Sequence, residues 1–457
     1  MISSSSPTQP KDLVVEVPES SAAEVAAAFE AARTAQKAWA SGPAAARATA
    51  LAAAADAVAG AADELAELAV REVGKPLGEA KGEVARSVAI LRYYAQQVFD
   101  PIGAVHEPSA QGLLFTRRRP LGVAGLITPW NFPLAIPLWK AAPALAFGNA
   151  VVLKPAPEAT ACALRLAELV APCLPDGLLA VVPGDADAGQ AVVAAADVVS
   201  FTGSVAAGNA VAVAATKRGV AVQAEMGGQN PAIVLPDADL DAAARQVAAA
   251  AFGFAGQKCT ATKRVVVVGD AEVAADFRGR LVAAAEAMVV GDPAEADVTV
   301  GPVIDEAARD RVVATAEDAV RSGGRVLTGG SAPDRDGWFV APTLVEGVPA
   351  DHTLACDEVF GPICLLQAAA DLDEAIALAN AVPHGLAAAV YTRDLATSLD
   401  AAQRLEAGLV KVNAPTSGVD FYLPFGGEKA SSIGAREQGK AAQEFYTTTH
   451  TITVAPA

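Results

Sequence analysis

Residues 121–155 read LGVAGLITPWNFPLAIPLWKAAPALAFGNAVVLKP. Gly122 to Ile127 is an apolar, strand-like run that stops at Thr128-Pro129-Trp130-Asn131-Phe132-Pro133. A helical stretch follows to Phe147, and Ala150 to Leu153 forms a second strand that stops at Lys154-Pro155. Short apolar strands separated by helices predict a parallel sheet covered on both faces. The alternation continues outward. A helix runs from Glu158 to Val170, strands fall at Leu179–Val182, Val198–Phe201 and Val220–Ala224, and a helix from Ser204 to Thr216 joins the last two. After Asn230 a second series begins, with strands at Ala232–Leu235, Val265–Val268, Val326–Leu327, Ile363–Gln367, Ala388–Tyr391 and Leu409–Val412. The pattern predicts an α/β protein with two doubly wound domains. Such sheets take ligands beyond the carboxyl ends of their strands. Asn131, Lys154, Gly203-Ser204 and Glu225 all come just after strands.

Upstream, residues 21–99 read as helices, with Val25, Phe29 and Ala32 at helical spacing and breaks at Ser41-Gly42-Pro43 and Gly74-Lys75-Pro76. The first residues, MISSSSPTQPK, read as a polar, frayed tail without the charged and apolar regions of a secretory signal. Leu113 to Thr116 reads as a strand, and Arg117-Arg118-Arg119 as a solvated or interface turn after it. The chain has 457 residues, room for more than one core. A formal charge of −18 weighs against nucleic acid as a partner. Five cysteines, odd and sparse, argue against a disulfide framework and for a reducing cytoplasm. No apolar run is long and clean enough to span a bilayer.

The chemistry centres on Phe252 to Lys263, FGFAGQKCTATK, which places Cys259 between a helix and a strand with Gly253 and Gly256 just upstream. A loop between rigid elements is where catalytic groups concentrate. A single cysteine is ordinarily a small buried hydrophobe, so Cys259 needs partners. Glu225, in Glu225-Met226-Gly227-Gly228, is a candidate general base. None of the four histidines lies in a Gly-rich turn near a nucleophile, so a carboxylate base suits this thiol better than a Cys–His pair. Asn131 carries amide donors of the kind that stabilise an oxyanion. Phe201-Thr202-Gly203-Ser204 ends a strand and opens a helix, whose free N–H groups attract phosphate. Asp357-Glu358-Val359-Phe360-Gly361-Pro362 sets an acid and an aromatic ring in one turn, suited to ribose hydroxyls and a flat ring. Each motif alone has a structural reading of equal standing.

Together, PWNFP, LKP, FTGS followed by Gly208, EMGGQNP, GQKCTA, EVFGPI and PFGGEKAS occur in this order between Pro129 and Ser431. In these motifs the chain resembles the aldehyde dehydrogenase superfamily over nearly its whole length. Through GQKCTAT and Asn413 to Asp420 it is similar to the α-ketoglutaric semialdehyde (2,5-dioxopentanoate) dehydrogenase branch. The resemblance implies Cys259 as nucleophile, Glu225 as the activator of water, Asn131 in the oxyanion site and Glu437 in proton relay. It implies NAD or NADP as cofactor, with Thr128, Trp130, Lys154, Gly203, Ser204, Glu358 and Phe360 around it. It further implies a cofactor-binding domain of residues 1–100 and 122–228 and a catalytic domain of residues 229–443. Residues 101–121 and 444–457 would form an oligomerisation hairpin and strand, in a cytoplasmic homodimer or homotetramer. The expected reaction oxidises an aldehyde to a carboxylate through a thioester, without metal, nucleic acid or membrane.

Three departures stand out. Pro157 stands where the family often has a ribose-binding Glu, with Glu158 one residue later, which leaves NADP open. The beginning of the chain is short of part of the family's leading hairpin. Trp139 stands where related succinate-semialdehyde enzymes carry a carboxylate-anchoring Arg, so Phe132, Trp139, Phe252, Phe421 and Tyr422 equally suit an aromatic or aliphatic aldehyde. A CoA-acylating relative and a non-catalytic structural relative are the competing classes. A cysteine hydrolase lacks its histidine.

Overall fold

The computed structural model describes residues 1–456. Its first large sheet has six strands in the order Ser432–Ile433, Ala221–Glu225, Val198–Thr202, Val123–Thr128, Ala150–Pro155 and Leu179–Val181. All pairings are parallel except the edge contact of Ser432 with Glu225. The chain runs outward from Val123–Thr128 in one direction, then returns to build Val198–Thr202 and Ala221–Glu225 on the other side. The strand order therefore reverses between Thr128 and Thr202, and a crevice opens at such a switch point. Every residue of Val123–Thr128 and Ala150–Pro155 is buried, which explains why these strands show no polar alternation.

The second sheet has seven strands: Arg325–Thr328, Thr343–Glu346, Ile363–Ala369, Thr262–Val268, Asn230–Val234, Ala387–Tyr391 and Leu409–Val412. Only the first pair is antiparallel. Thr262–Val268 is central and wholly buried, so the segment before it, with Cys259, is anchored at the middle of this sheet. The α/β fold class holds, with strands mostly within one or two residues of the expected bounds. Thr343–Glu346 and the helix Ala186–Ala195 were not anticipated.

Two expectations are corrected. The first residues are not frayed: Ile2–Ser5 and Leu13–Val17 form an antiparallel hairpin. Ile2 is buried, and the Ser4 hydroxyl donates to Glu72 at 2.7 Å, so this polar segment is held by a buried carboxylate. Arg117-Arg118-Arg119 is not a turn. It continues the strand Leu113–Pro120, which pairs along its length with Thr447–Val454. Main-chain pairing is indifferent to side-chain charge, and the strand's side chains are only partly covered.

The helix Ala135–Ala146 is buried on every side. A buried helix start needs acceptors for its free N–H groups. Leu134 and Ala135 donate to the Glu83 carboxylate at 2.9 Å each, and Glu83 pairs in turn with the buried Lys75 ammonium. Removing one member of such a pair leaves an uncompensated charge and costs about 3–5 kcal/mol.

Candidate active site

The Cys259 loop is built on strained backbone. The helix Leu240–Phe252 ends at Gly253, and Phe254 (φ 53°), Ala255 (φ 52°) and Gly256 (φ 65°) then run left-handed. Non-glycine residues in that region cost of order 1–3 kcal/mol each and persist only where packing compels them. Phe254 and Ala255 are fully buried. At Gly256 a Cβ would lie 2.3 Å from the Gly361 carbonyl oxygen, so only glycine fits. Buried Gln257 pins the loop: its Oε1 accepts from the Ile304 N–H at 2.8 Å, and its Nε2 donates to the Pro302 carbonyl at 3.2 Å. The Cys259 carbonyl accepts from Asn230 Nδ2 at 2.8 Å. Sequence reasoning did not find Gln257 or Asn230, because their partners lie in distant segments.

Cys259, Asn131, Trp130, Thr202, Gly203, Ser204, Glu358 and Phe360 line one cavity of about 290 Å³. It opens at the switch point described above. Asn131 is buried; its Nδ2 donates to the Gln257 carbonyl at 3.0 Å, which ties it to the nucleophile loop and leaves its second amide N–H for another acceptor. Trp130 packs edge-on against Phe360, centroids 5.6 Å apart. The Glu358 carboxylate accepts from the Gly228 N–H at 3.3 Å, and burial raises its pKa. The Cys259 thiol is pushed up to about 12, first by burial and then by the charges of Glu358, Glu225 and Glu437. By surface area the residue is only partly covered, yet it is densely surrounded, and it is that density which denies a thiolate its water.

Glu225 and Glu437 form the second part of the site. Both are buried. The Ser432 hydroxyl donates to one Glu225 oxygen, and the other has no partner. Glu437 pairs with the buried Lys140 ammonium, which also donates to the Ser200 hydroxyl at 2.8 Å. Glu225 is raised well above the carboxylate range by burial and by Glu437, against the pull of Ser432, Lys140 and Arg436. Neither Lys140 nor Ser432 was singled out from the sequence. Lys140 had a legible signal, a single charge within the apolar run Ala135–Ala146.

Lys154 lies elsewhere, in an adjoining cleft of about 690 Å³ between the helices Ala186–Ala195 and Val205–Lys217. Its ammonium donates to the Pro155 and Gly184 carbonyls at 2.7 and 2.8 Å, and burial lowers its pKa. Ile127, Val193, Phe201 and Val211 make the cleft an apolar slot. These features fit a dinucleotide. The slot takes a flat base, and the helix Val205–Lys217 points its free N–H groups toward the crevice behind its Ser204 cap. The hydroxyls of Thr128 and Thr202 at the switch point are buried without partners. No cluster of metal-ligand side chains occurs among the described residues.

A cysteine in a cavity at the switch point, beside a cleft shaped for a dinucleotide, fits a nucleotide-dependent oxidoreductase. The comparisons with known proteins agree. The aldehyde dehydrogenase family model matches residues 1–452. The α-ketoglutaric semialdehyde dehydrogenase of Bacillus subtilis is 40% identical, aligned over 100% of this chain and 95% of its own length. The α-ketoglutarate semialdehyde dehydrogenase of Haloferax volcanii is 39% identical over 98% and 94%. The crystal structure of an NAD-dependent aldehyde dehydrogenase from Sinorhizobium meliloti superposes with a TM-score of 0.96 at 34% identity, covering 100% of this chain and 92% of that one. The chain belongs to the aldehyde dehydrogenase family. It is an NAD(P)-dependent oxidoreductase whose substrates are aldehydes.

Proposed function

We propose that the protein oxidises α-ketoglutaric semialdehyde (2,5-dioxopentanoate) to the dicarboxylate through a covalent Cys259 intermediate. The observation that carries the chemistry is that Cys259 shares a cavity with Asn131 and lies in the field of Glu225. The names of the relatives that match most of the chain carry the substrate.

The partly covered Cys259 thiol gives up its proton to solvent through the open cavity, and the thiolate sulfur adds to the aldehyde carbon, whose oxygen gains negative charge. The free amide N–H of Asn131 and the Cys259 main-chain N–H hold that oxygen; one such donor is worth roughly 3–4 kcal/mol. The bound nicotinamide supplies the acceptor for the aldehyde hydride. Cys259 is then acylated, and Glu225 takes a proton from water as the water oxygen attacks the thioester and the sulfur leaves. Ser432 holds the Glu225 carboxyl, and the buried Lys140–Glu437 pair beside it offers the route by which that proton departs. Lys154 and Glu358 would hold the two riboses, Gly203 with Ser204 the pyrophosphate, and Thr128, Trp130 and Phe360 the nicotinamide end. Glu158, Asp185 and Glu19 all place carboxylates near Lys154, which supports NAD over the doubly charged 2′-phosphate of NADP.

Residues 1–100 and 122–228 serve as the cofactor domain, and 229–443 as the catalytic domain, with Ser432–Ile433 lending an edge strand to the cofactor domain's sheet. The strands Leu113–Pro120 and Thr447–Val454 form an oligomerisation unit in a cytoplasmic homodimer or homotetramer. Exposed Val105, Leu113 and Val454 on that sheet support the assignment.

Reduction of NAD+ and NADP+ measured side by side with α-ketoglutaric semialdehyde and benzaldehyde tests the reading. The expected result is a higher kcat/KM for the semialdehyde with NAD+. A preference for benzaldehyde transfers the assignment to aromatic aldehydes, and strict dependence on CoA transfers it to the acylating class.

The pH profile tests the role of Glu225. It takes the proton of water only as a carboxylate, and its pKa is raised. Hydrolysis therefore gains rate as the pH climbs through that raised value and is lost as the pH falls through it. Glu437→Gln removes the neighbouring negative charge and leaves the Lys140 ammonium unpaired. Both changes favour the Glu225 carboxylate, so the acid limb of kcat moves to lower pH. A limb that stays in place under rate-limiting hydrolysis separates Glu437 from the base.

A further inference from the structure

The helix Leu77–Gln97 carries Glu79, Glu83 and Arg86 at spacings of four and seven residues, which sets them along one face. Glu79 pairs at 2.8 Å with Lys258, the residue before the nucleophile. Glu83 accepts from the N–H groups of Leu134 and Ala135, just beyond Asn131. Two turns of this helix thus hold the nucleophile loop and the oxyanion loop.

Arg86, on the next turn, has no hydrogen bond or ion pair with any of the described residues, although it is half-buried. Its charged neighbours are Glu83 on its own helix, and Asp420 and Lys411 from the segment that closes over it. Asp420 stays beyond ion-pairing distance of Arg86. Lys411 is spent on the carbonyls of Ser417 and Gly418. The covering segment is fixed by Phe421, which packs edge-on against Tyr93 of the same helix, centroids 5.7 Å apart. The Arg86 guanidinium is not among the nitrogens sealed from water without a partner, so it is free to exchange solvent for an incoming acceptor. Its planar fork matches a carboxylate, which it binds by two parallel hydrogen bonds.

We propose that Arg86 receives the terminal carboxylate of the substrate while the aldehyde carbon reaches Cys259. The helix Leu77–Gln97 then positions three things at once: the thiol, the oxyanion amide and the acidic tail. This rests on the semialdehyde reading and names the residue behind it. It also explains how an acidic aldehyde is recognised although Trp139 leaves no arginine on the helix Ala135–Ala146.

The test compares wild type, Arg86→Gln and Arg86→Lys on three aldehydes: α-ketoglutaric semialdehyde, glutaric semialdehyde and pentanal, which lacks the acid. In Arg86→Gln the ratio of kcat/KM for either semialdehyde over pentanal falls about ten- to a hundredfold, through KM, as befits the loss of a charged hydrogen-bonded pair. Arg86→Lys, which keeps the charge but not the fork, recovers part of the ratio and serves as the second variant should the glutamine form fold poorly. An unchanged ratio overturns the proposal, as does an equal loss on pentanal. If wild type shows no preference for α-ketoglutaric semialdehyde, the substrate reading fails. If Arg86→Gln still loses glutaric semialdehyde selectively, the anchor stands.

Discussion

Cys259→Ala lowers aldehyde-dependent reduction of NAD(P)+ by about 10⁴-fold or more, because no other group forms the covalent intermediate. Cys162 and Cys364 are buried away from the cavity, and Cys173 and Cys356 lie outside it. The alanine variant keeps its fold. Cys259 is held in place by its neighbours, through the Gln257 amide and the Asn230 bond to its carbonyl, rather than by its own sulfur. Cofactor binding followed by calorimetry therefore stays near the wild-type value while turnover disappears. Turnover within tenfold of wild type removes Cys259 from the mechanism.

Glu225→Gln divides the reaction in two. Acylation needs the thiol and the oxyanion donors, and hydrolysis needs a base on water. The variant gives a burst of about one reduced cofactor per subunit, followed by a steady state lowered by about 10³-fold, within the range for loss of a general base. Intact-mass measurement after the burst finds the acyl group on Cys259. Glutamine keeps the shape of the side chain and its bond to Ser432, so a structural role alone leaves the steady state high. Loss of the burst along with the steady state shows that Glu225 acts on the thiol as well.

Much of this site could be read along the chain. Cys259, Glu225, Asn131, Glu358 and Phe360 each stand in short motifs; Asn131 and Glu225 come at strand ends, and Cys259, Glu358 and Phe360 lie in loops that lead into adjacent strands. Loops at the same end of parallel strands converge at one edge of a sheet, so residues of that kind meet without any knowledge of packing. Residues whose meaning depends on a partner far away could not be read. Gln257 is an ordinary polar residue until Ile304 and Pro302 come to it, and Ser432 is one serine among many until its strand joins Glu225. The leading segment misled for the same reason. MISSSS has the composition of a loose tail, and it becomes a strand by pairing with Leu13–Val17 and docking Ser4 on the buried Glu72 carboxylate.

The chain's own order of apolar strands, helices and terminal motifs determined two doubly wound sheets and a thiol between them. Backbone hydrogen bonding and hydrophobic period are local properties. What only the tertiary structure decided is the electrical state of the groups. The high-lying Cys259 thiol, the raised Glu225 carboxyl beside Glu437 and Lys140, and the unpaired guanidinium of Arg86 arise from burial and from charges brought together across as many as 297 residues of sequence. Desolvation and Coulomb energy depend on distance in space, and no spacing along the chain encodes them.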